Sequence, residues 1–270
     1  MFLKLKVYPR VMSIAGSDSG GCAGIQADVR VLNYLNCHAS TVQTAVTAQN
    51  TLGVQAIESI SAEMVTAQID SVMSDIGTDV IKIGMLCNKE IIIAVAQALS
   101  HYQDIPIILD PVMVSTSKHR LLEEEAEQAL VEYLFPRIHL LTPNHREAEI
   151  LTSHNIHSSE DILVVCKKIH ALGVNSVLIT GGDCQSDWAV DYLYEARKDN
   201  IVRFEHRKIL TKNTHGAGCS LSAAIAGYLA KGLDMLSAIQ SAKSLITIGL
   251  EKGKLMRLGK GAGPLKFSDE

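Results

Sequence analysis

A chain of 270 residues with 47% hydrophobic content can bury a substantial core, which excludes a disordered protein and suits one large α/β domain or two small ones. Its formal net charge of −4, with no basic cluster, argues against a nucleic-acid surface as its main business. No apolar run reaches membrane-spanning length, Lys4, Lys6 and Arg10 interrupt the N-terminus, and the six cysteines form no C-x-x-C pair or zinc-ligand spacing, so a reducing cytoplasm is the expected location.

Taken in chain order, residues 11–15 form an apolar run that stops at Gly16, and a helical periodicity follows over 25–35. The loop between them, Gly16-Ser-Asp-Ser-Gly-Gly-Cys-Ala-Gly24, lacks the Gly-Lys-Ser/Thr ending of a Walker loop and the spacing of a dinucleotide fingerprint. A dinucleotide-dependent oxidoreductase is therefore disfavoured. β-branched residues over 40–48 predict a strand that delivers Gln49 and Asn50 to a sheet end. Ser61 precedes a helical pattern over 62–76, and 80–83 reads as a buried strand ending at Gly84 and Met85. A helix over 88–101 leads to an apolar strand over 105–109, closed by Asp110-Pro-Val-Met113. A carboxylate at the C-terminal end of such a strand lies where α/β sheets bind ligands, so Asp110 is a candidate to orient a magnesium ion or its waters. Helix capping is its competing role.

A charged amphipathic helix is predicted over 123–134, its opening run of three glutamates explained by the favourable interaction of acids with a helix N-terminus. Residues 138–141 form a strand leading into Thr142-Pro-Asn-His-Arg-Glu-Ala-Glu149, in which His145 and Arg146 read as surface. A helix over 158–172, a strand over 176–180 and a turn at 181–183 follow, then an antiparallel excursion over 188–195 and 201–206. A long helix is predicted over 235–250 before a terminal loop at 259–264. No repeat or low-complexity linker divides the chain, and strands alternating with helices predict a mostly parallel sheet covered on both faces, in a single domain spanning 1–270.

The stretch Thr211-Lys-Asn-Thr-His-Gly-Ala-Gly-Cys-Ser220 is the richest in chemistry. Gly216 and Gly218 flank Ala217, and the small apolar run over 221–229 predicts a loop feeding straight into a helix. The N–H groups of Gly216, Ala217 and Gly218 would then face an anion at the positive end of the helix dipole. Cys219 on the first turn would have a lowered thiol pKa. The competing reading is a plain turn with a small buried cysteine.

Together the motifs T-K-N-T-H-G-A-G-C-S, A-G-S-D-S-G-G-C-A-G-I-Q-A-D, K-I-G-M-L, D-P-V-M, T-P-N-x-x-E-A and G-K-G-A-G-P resemble the hydroxymethylpyrimidine/phosphomethylpyrimidine kinases, a thiamin-biosynthesis branch of the ribokinase-like kinases. The resemblance implies a three-layer α/β fold and ATP-dependent phosphorylation of a hydroxymethylpyrimidine and its monophosphate. It also implies substrate-binding roles for Gly16, Asp28, Gln49, Met85 and Val112. A Gln amide suits this role, because its coplanar donors and acceptor complement an aminopyrimidine edge, although a turn-forming amide is the alternative. Magnesium would be organised by Asn144, Glu147 and Asp110, and ATP would be met by Thr180, Gly182, Thr211 and Asn213. Cys219, where most ribokinase relatives have Asp, would take the alcohol proton.

Three positions depart from the family pattern. Cys22 replaces a usual Gly, residues 116–120 replace a usual Lys-Ser-Gly-Asp-Pro, and Thr180 stands where many members have Lys. A pyridoxal kinase and a non-catalytic vitamer-binding protein on the same fold remain alternatives. A homodimer is expected, with no residue pattern that fixes it, and a potassium requirement is left open beside magnesium.

Overall fold

A computed structural model describes residues 7–113, 122, 124–182 and 187–268, with Glu124 and Gly182 described by their backbone alone. The departure at 116–120, Glu123 and the turn residue Asp183 lie outside the described residues. Among the described residues, nine strands join one sheet in the order β3-β2-β1-β4-β5-β6-β7-β8-β9. They are β1 (Arg10–Asp18), β2 (His38–Asn50), β3 (Gly53–Ser59), β4 (Val80–Ile83), β5 (Ile107–Leu109), β6 (Leu140–Leu141), β7 (Ser176–Gly182), β8 (Trp188–Glu195) and β9 (Asn200–Arg207). The run from β2 to β7 is parallel, while β3, β8 and β9 add antiparallel edges.

Among the described residues the α-helices are α1 (Gly24–Tyr34), α2 (Ala62–Asp75), α3 (Lys89–Leu99), α4 (Glu124–Ala129), α5 (His145–Thr152), α6 (Ser159–Ala171), α7 (Ala217–Ala230) and α8 (Met235–Gly253). Because successive side chains of a strand point to opposite faces, each central strand feeds two cores. Met12, Ile81, Ile107, Leu109 and Leu141 pack under α2, α3, α4 and α6. Val11, Val80, Ile108 and Leu140 pack under α1, α7 and α8. The expected three layers follow from this alternation. Its further consequence is that Ser13 and Lys82, two residues on from Val11 and Val80, fall on the α1/α7 face.

The local signals hold at most element ends. Ser61 caps α2 by accepting from Met64 N at 3.3 Å, and Asn88 caps α3 by accepting from Ile91 N at 3.0 Å. Three elements differ from the sequence reading. β3 and α5 are additional elements, and α4 gives way after Ala129 to a π turn over Leu130–Leu134, whereas α7 begins at Ala217 and carries Cys219 on its first turn as expected. Crossovers leave β1 in both directions, through α1 to β2 and through β3 and α2 to β4, so the switch point of the sheet lies at the C-terminal end of β1.

Candidate active site

At that switch point a cleft opens above the ends of the parallel strands. The end of β1 contributes Gly16 and Asp18, and the residues just after β4 contribute Gly84 and Met85. Asp110 and Val112 follow β5, and Asn144 and Glu147 follow β6. Gly216, Ala217, Gly218 and Cys219 enter at the start of α7, and Gln49 from the end of β2 forms the far wall. Of the sequence candidates, every catalytic and magnesium residue and four of the five substrate residues therefore meet in one place.

Gly216 caps α7 with φ of 79°, and a Cβ there would lie 2.0 Å from the carbonyl oxygen of Cys22. Both the left-handed backbone and the closeness of the opposite loop require glycine. The anion turn is narrower than the sequence suggests. Ala217 donates its N–H to Thr214 O at 3.1 Å, and Ser220 donates to Gly216 O at 2.9 Å. Of the three N–H groups expected to face an anion, that of Ala217 is therefore already engaged within the turn.

Gly16 is small for a packing reason, since a Cβ on it would lie 2.5 Å from Met85 Cε. The Met85 carbonyl is pinned by the hydroxyl of Thr44, which donates to it at 2.6 Å. Gln49 is oriented on both ends of its amide. Its Oε1 accepts from Thr47 Oγ1 at 3.1 Å, and its Nε2 lies 3.0 Å from Nε2 of His215.

Beneath the cleft lies a charge cluster. Lys82 is fully buried and donates to Asp28 Oδ2 at 2.8 Å and to Oδ1 at 3.0 Å, while Ser13 Oγ donates to Asp28 Oδ2 at 2.6 Å. Burial works against the lysine's charge, but Asp28, Cys219 and Asp110 outweigh it and hold its pKa above the ordinary value. Asp28 is thus a correction to the substrate-binding set. It sits below the cleft as the counter-ion of Lys82, which itself lines the cleft.

Cys219 departs from expectation in the same environment. Burial pushes its thiol up to about 12, reinforced by Asp110 and Asp28 and only partly opposed by Lys82 and the Gly24 N–H. Desolvation and two nearby carboxyls overcome the helix N-terminus.

Asn144 and Glu147 form a reciprocal capping box at α5, with Glu147 N donating to Asn144 Oδ1 at 3.0 Å and Asn144 N donating to Glu147 Oε2 at 2.9 Å. Burial first, and then the charge of Asp110, raise Glu147 to about 8. Asp110 is itself raised to about 6 by burial and by Asp28, against the pull of Lys82. Asp110 Oδ2 accepts from Ser222 Oγ at 3.4 Å and faces Gly218, where a Cβ would approach it to 3.5 Å. Two carboxyls, one of which raises the other's pKa, beside an amide oxygen, are an all-oxygen donor set suited to a hard divalent cation. The residues present fit magnesium.

The four nucleotide candidates fall elsewhere. Asn213 donates through Nδ2 to Gly253 O and Met256 O, each at 2.7 Å, and its Oδ1 accepts from Gly263 N at 3.0 Å, so its amide is spent on clamping the C-terminal loop. Thr211 Oγ1 accepts from Asn213 N at 3.0 Å and donates to Lys254 O at 3.4 Å, again a structural bond. Thr180 bridges to Asn144 and donates its N–H to Pro143 O, outside the cleft lining. Gly182 is the last residue of β7, pairs with Val190, and is also outside that lining. Conversely, the sequence reading missed Lys82, Asp18 and His215 as cleft residues. A lone lysine in the apolar run Val-Ile-Lys-Ile was the one available signal.

The family model described as phosphomethylpyrimidine kinase matches residues 18–266. The hydroxymethylpyrimidine/phosphomethylpyrimidine kinase of Rhizobium meliloti is 41% identical over 255 residues, covering 94% of this chain and 95% of that protein. The thiamine biosynthesis bifunctional protein ThiED of Geobacter sulfurreducens is 42% identical over 98% of this chain, which spans 54% of its length. Among solved structures, Bacillus subtilis pyridoxal kinase in complex with ADP superposes with a TM-score of 0.86 at 35% identity, covering 97% of this chain and 98% of that one. These matches run through the strands and loops that build the cleft, and the chain belongs to the phosphomethylpyrimidine kinase family.

Proposed function

We propose that this kinase transfers the γ-phosphoryl group of ATP to the hydroxymethyl group of 4-amino-5-hydroxymethyl-2-methylpyrimidine, and then to the resulting monophosphate. The observation that carries the reading is the meeting, in one cleft, of a ring-reading amide at Gln49, an anion turn at Gly218 and Cys219, and the oxygen donors of Asp110, Asn144 and Glu147. Phosphoryl transfer asks mainly for positioning and charge stabilisation, and these groups supply both.

In this reading Met85 and Val112 pack on the pyrimidine faces, and Gln49 hydrogen-bonds its aminopyrimidine edge. Gly218 and Cys219 donate N–H groups to the transferring phosphoryl. Asp110, Asn144 and Glu147 would hold magnesium, which would neutralise charge on the phosphate oxygens. Lys82 favours the thiolate of Cys219, which takes the alcohol proton. The base of the nucleotide is assigned to a second cleft between the end of β9 and the end of α8, where Leu210 and Leu255 are exposed. No potassium ion is assigned.

The described residues contain no helix long and apolar enough to cross a membrane. A cytoplasmic homodimer formed from one kinase domain is part of the same reading. An ATP-consumption assay with the pyrimidine, its monophosphate and pyridoxal tests the proposal. Turnover of the first two ahead of pyridoxal is expected. Pyridoxal as the sole substrate would turn the reading over to the alternative suggested by the Bacillus structure.

A further inference from the structure

On the opposite side of the cleft from the magnesium donors, three side chains of different chemistry converge. Asp18 ends β1, Cys22 lies in the following loop, and His215 comes from the loop before α7. All three are buried, and their ligand atoms, one oxygen, one sulfur and one nitrogen, lie within 4.8 Å of one another. Asp18 Oδ2 is 3.6 Å from His215 Nε2.

The three positions are held by hydrogen bonds already in place, with Cys22 Sγ donating to Gly20 O at 3.5 Å. Gly20 N donates to Asp18 Oδ1 at 2.8 Å, and Cys22 N and Ala23 N donate to Oδ2 at 2.9 and 2.8 Å. Burial opposes ionisation of this carboxyl, but His215 and the three N–H groups outweigh it and keep the pKa below the ordinary range. His215 N donates to Gly263 O at 3.1 Å, which ties its loop to the C-terminal segment. The ligand atoms are therefore held before any ion arrives, which reduces the ordering cost of binding.

We propose that Asp18, Cys22 and His215 form a site for a thiophilic divalent cation of the zinc class, distinct from the magnesium donors Asp110, Asn144 and Glu147. Zinc is bound in this manner by three protein ligands drawn from Cys, His and Asp, with a fourth position left open. Magnesium takes oxygen ligands and has no use for the sulfur or the imidazole. Asp18 and His215 line the cleft whereas Cys22 does not, so the open position faces the cleft, where water or a ligand nitrogen completes the shell. Binding displaces the Cys22 thiol proton to solvent, so affinity rises with pH. A cation on His215 Nε2 also takes the atom that meets Gln49 at 3.0 Å. Occupancy therefore weakens pyrimidine binding, a coupling that rests on the assignment of Gln49 proposed above.

Cobalt(II) serves as the probe, because a cobalt–thiolate bond gives a near-ultraviolet charge-transfer band and the titration needs no substrate. The intact chain, with magnesium in excess, should give the band with one cobalt bound. Zinc should abolish it. Since Cys219 is a second thiol beside oxygen donors, the variants discriminate: the band should persist in Cys219→Ala and vanish in Cys22→Ser, with both variants checked for folding by thermal melting. No band in the parent chain, or a band that survives Cys22→Ser, overturns the site. In the kinetic arm, zinc at saturating magnesium and ATP should raise the KM for the pyrimidine in the parent chain and not in Cys22→Ser. Equal zinc sensitivity of the two, with the cobalt band present, would overturn the coupling alone.

Discussion

Lys82 Nζ lies 2.8 Å from Asp28 Oδ2, and neither side chain has any exposed surface. The lysine reaches up from the α1/α7 face of β4 to line the cleft, and the aspartate on α1 holds it from below. Removing one partner strands the other charge in a low-dielectric interior, a loss that typically costs about 3–5 kcal/mol, whereas replacing both by apolar groups is often neutral. Lys82→Met should therefore lower the stability measured by urea unfolding by that amount. Lys82→Met/Asp28→Leu should recover much of it without restoring activity. A single variant as stable as the parent chain would mean that water reaches the pair.

Gln49 is presented to the cleft by Thr47 and His215 rather than left to rotate. Gln49→Leu leaves the polar edge of a bound pyrimidine unpaired, at a cost of about 1–3 kcal/mol. The KM for the pyrimidine should rise by the corresponding factor while that for ATP stays within error. An unchanged pyrimidine KM would take Gln49 out of the substrate wall.

Asn213 is bonded through both its Nδ2 and its Oδ1, and all of its partners are backbone groups of the C-terminal segment. Asn213→Ala should act on stability first, because each buried partner left unsatisfied costs about 1–3 kcal/mol. The melting temperature should fall clearly, with ATP affinity of the folded fraction little changed. A large loss of ATP affinity at unchanged stability would return Asn213 to the nucleotide.

The difference between Asn213 and Gln49 shows what the sequence carries. Gln49 ends a strand, and strand ends in a parallel sheet point at the ligand face, so its place could be read locally. Asn213 sits inside the most suggestive motif, but its partners lie 40 to 50 residues away, and only the folded chain brings them to it. The central strands were legible because both faces are buried and their sequences are correspondingly apolar. β3 was not, because Gly53–Ser59 has no fully buried residue and shows no apolar face. Lys82 and Asp28 are 54 residues apart, and although the lysine stands out in Val-Ile-Lys-Ile, their pairing needs the strand alternation and the placement of α1 together. The raised thiol of Cys219 was hidden for the same reason. A helix N-terminus can be read in the sequence, but the desolvation and the carboxyls that overcome it cannot.

The chemical role of Cys219 is separable by what each nucleophile needs. An alcohol attacks poorly until its proton is taken, and a positioned base typically contributes about 10²–10⁴-fold, or roughly 2.7–5.5 kcal/mol of barrier. A phosphate monoester, with a second pKa of about 6, is already largely dianionic at neutral pH and needs no base. Cys219→Ala should therefore cut the first phosphorylation by a factor in that range and spare much of the second, since the N–H groups of Gly218 and position 219 survive the substitution. The pH dependence carries the same distinction. The thiol is pushed up to about 12 by burial and must lose its proton to act, so the first step should accelerate as pH rises above neutrality. The second should level off once the monoester is dianionic. Cys219→Asp supplies a carboxylate already ionised at neutral pH, so it should recover part of the first step and flatten its rise with pH. Single-turnover rates on the alcohol and the monophosphate across pH decide the matter. Equal losses on both substrates with parallel pH profiles would make Cys219 a residue that positions the anion turn, with the alcohol proton leaving by another route.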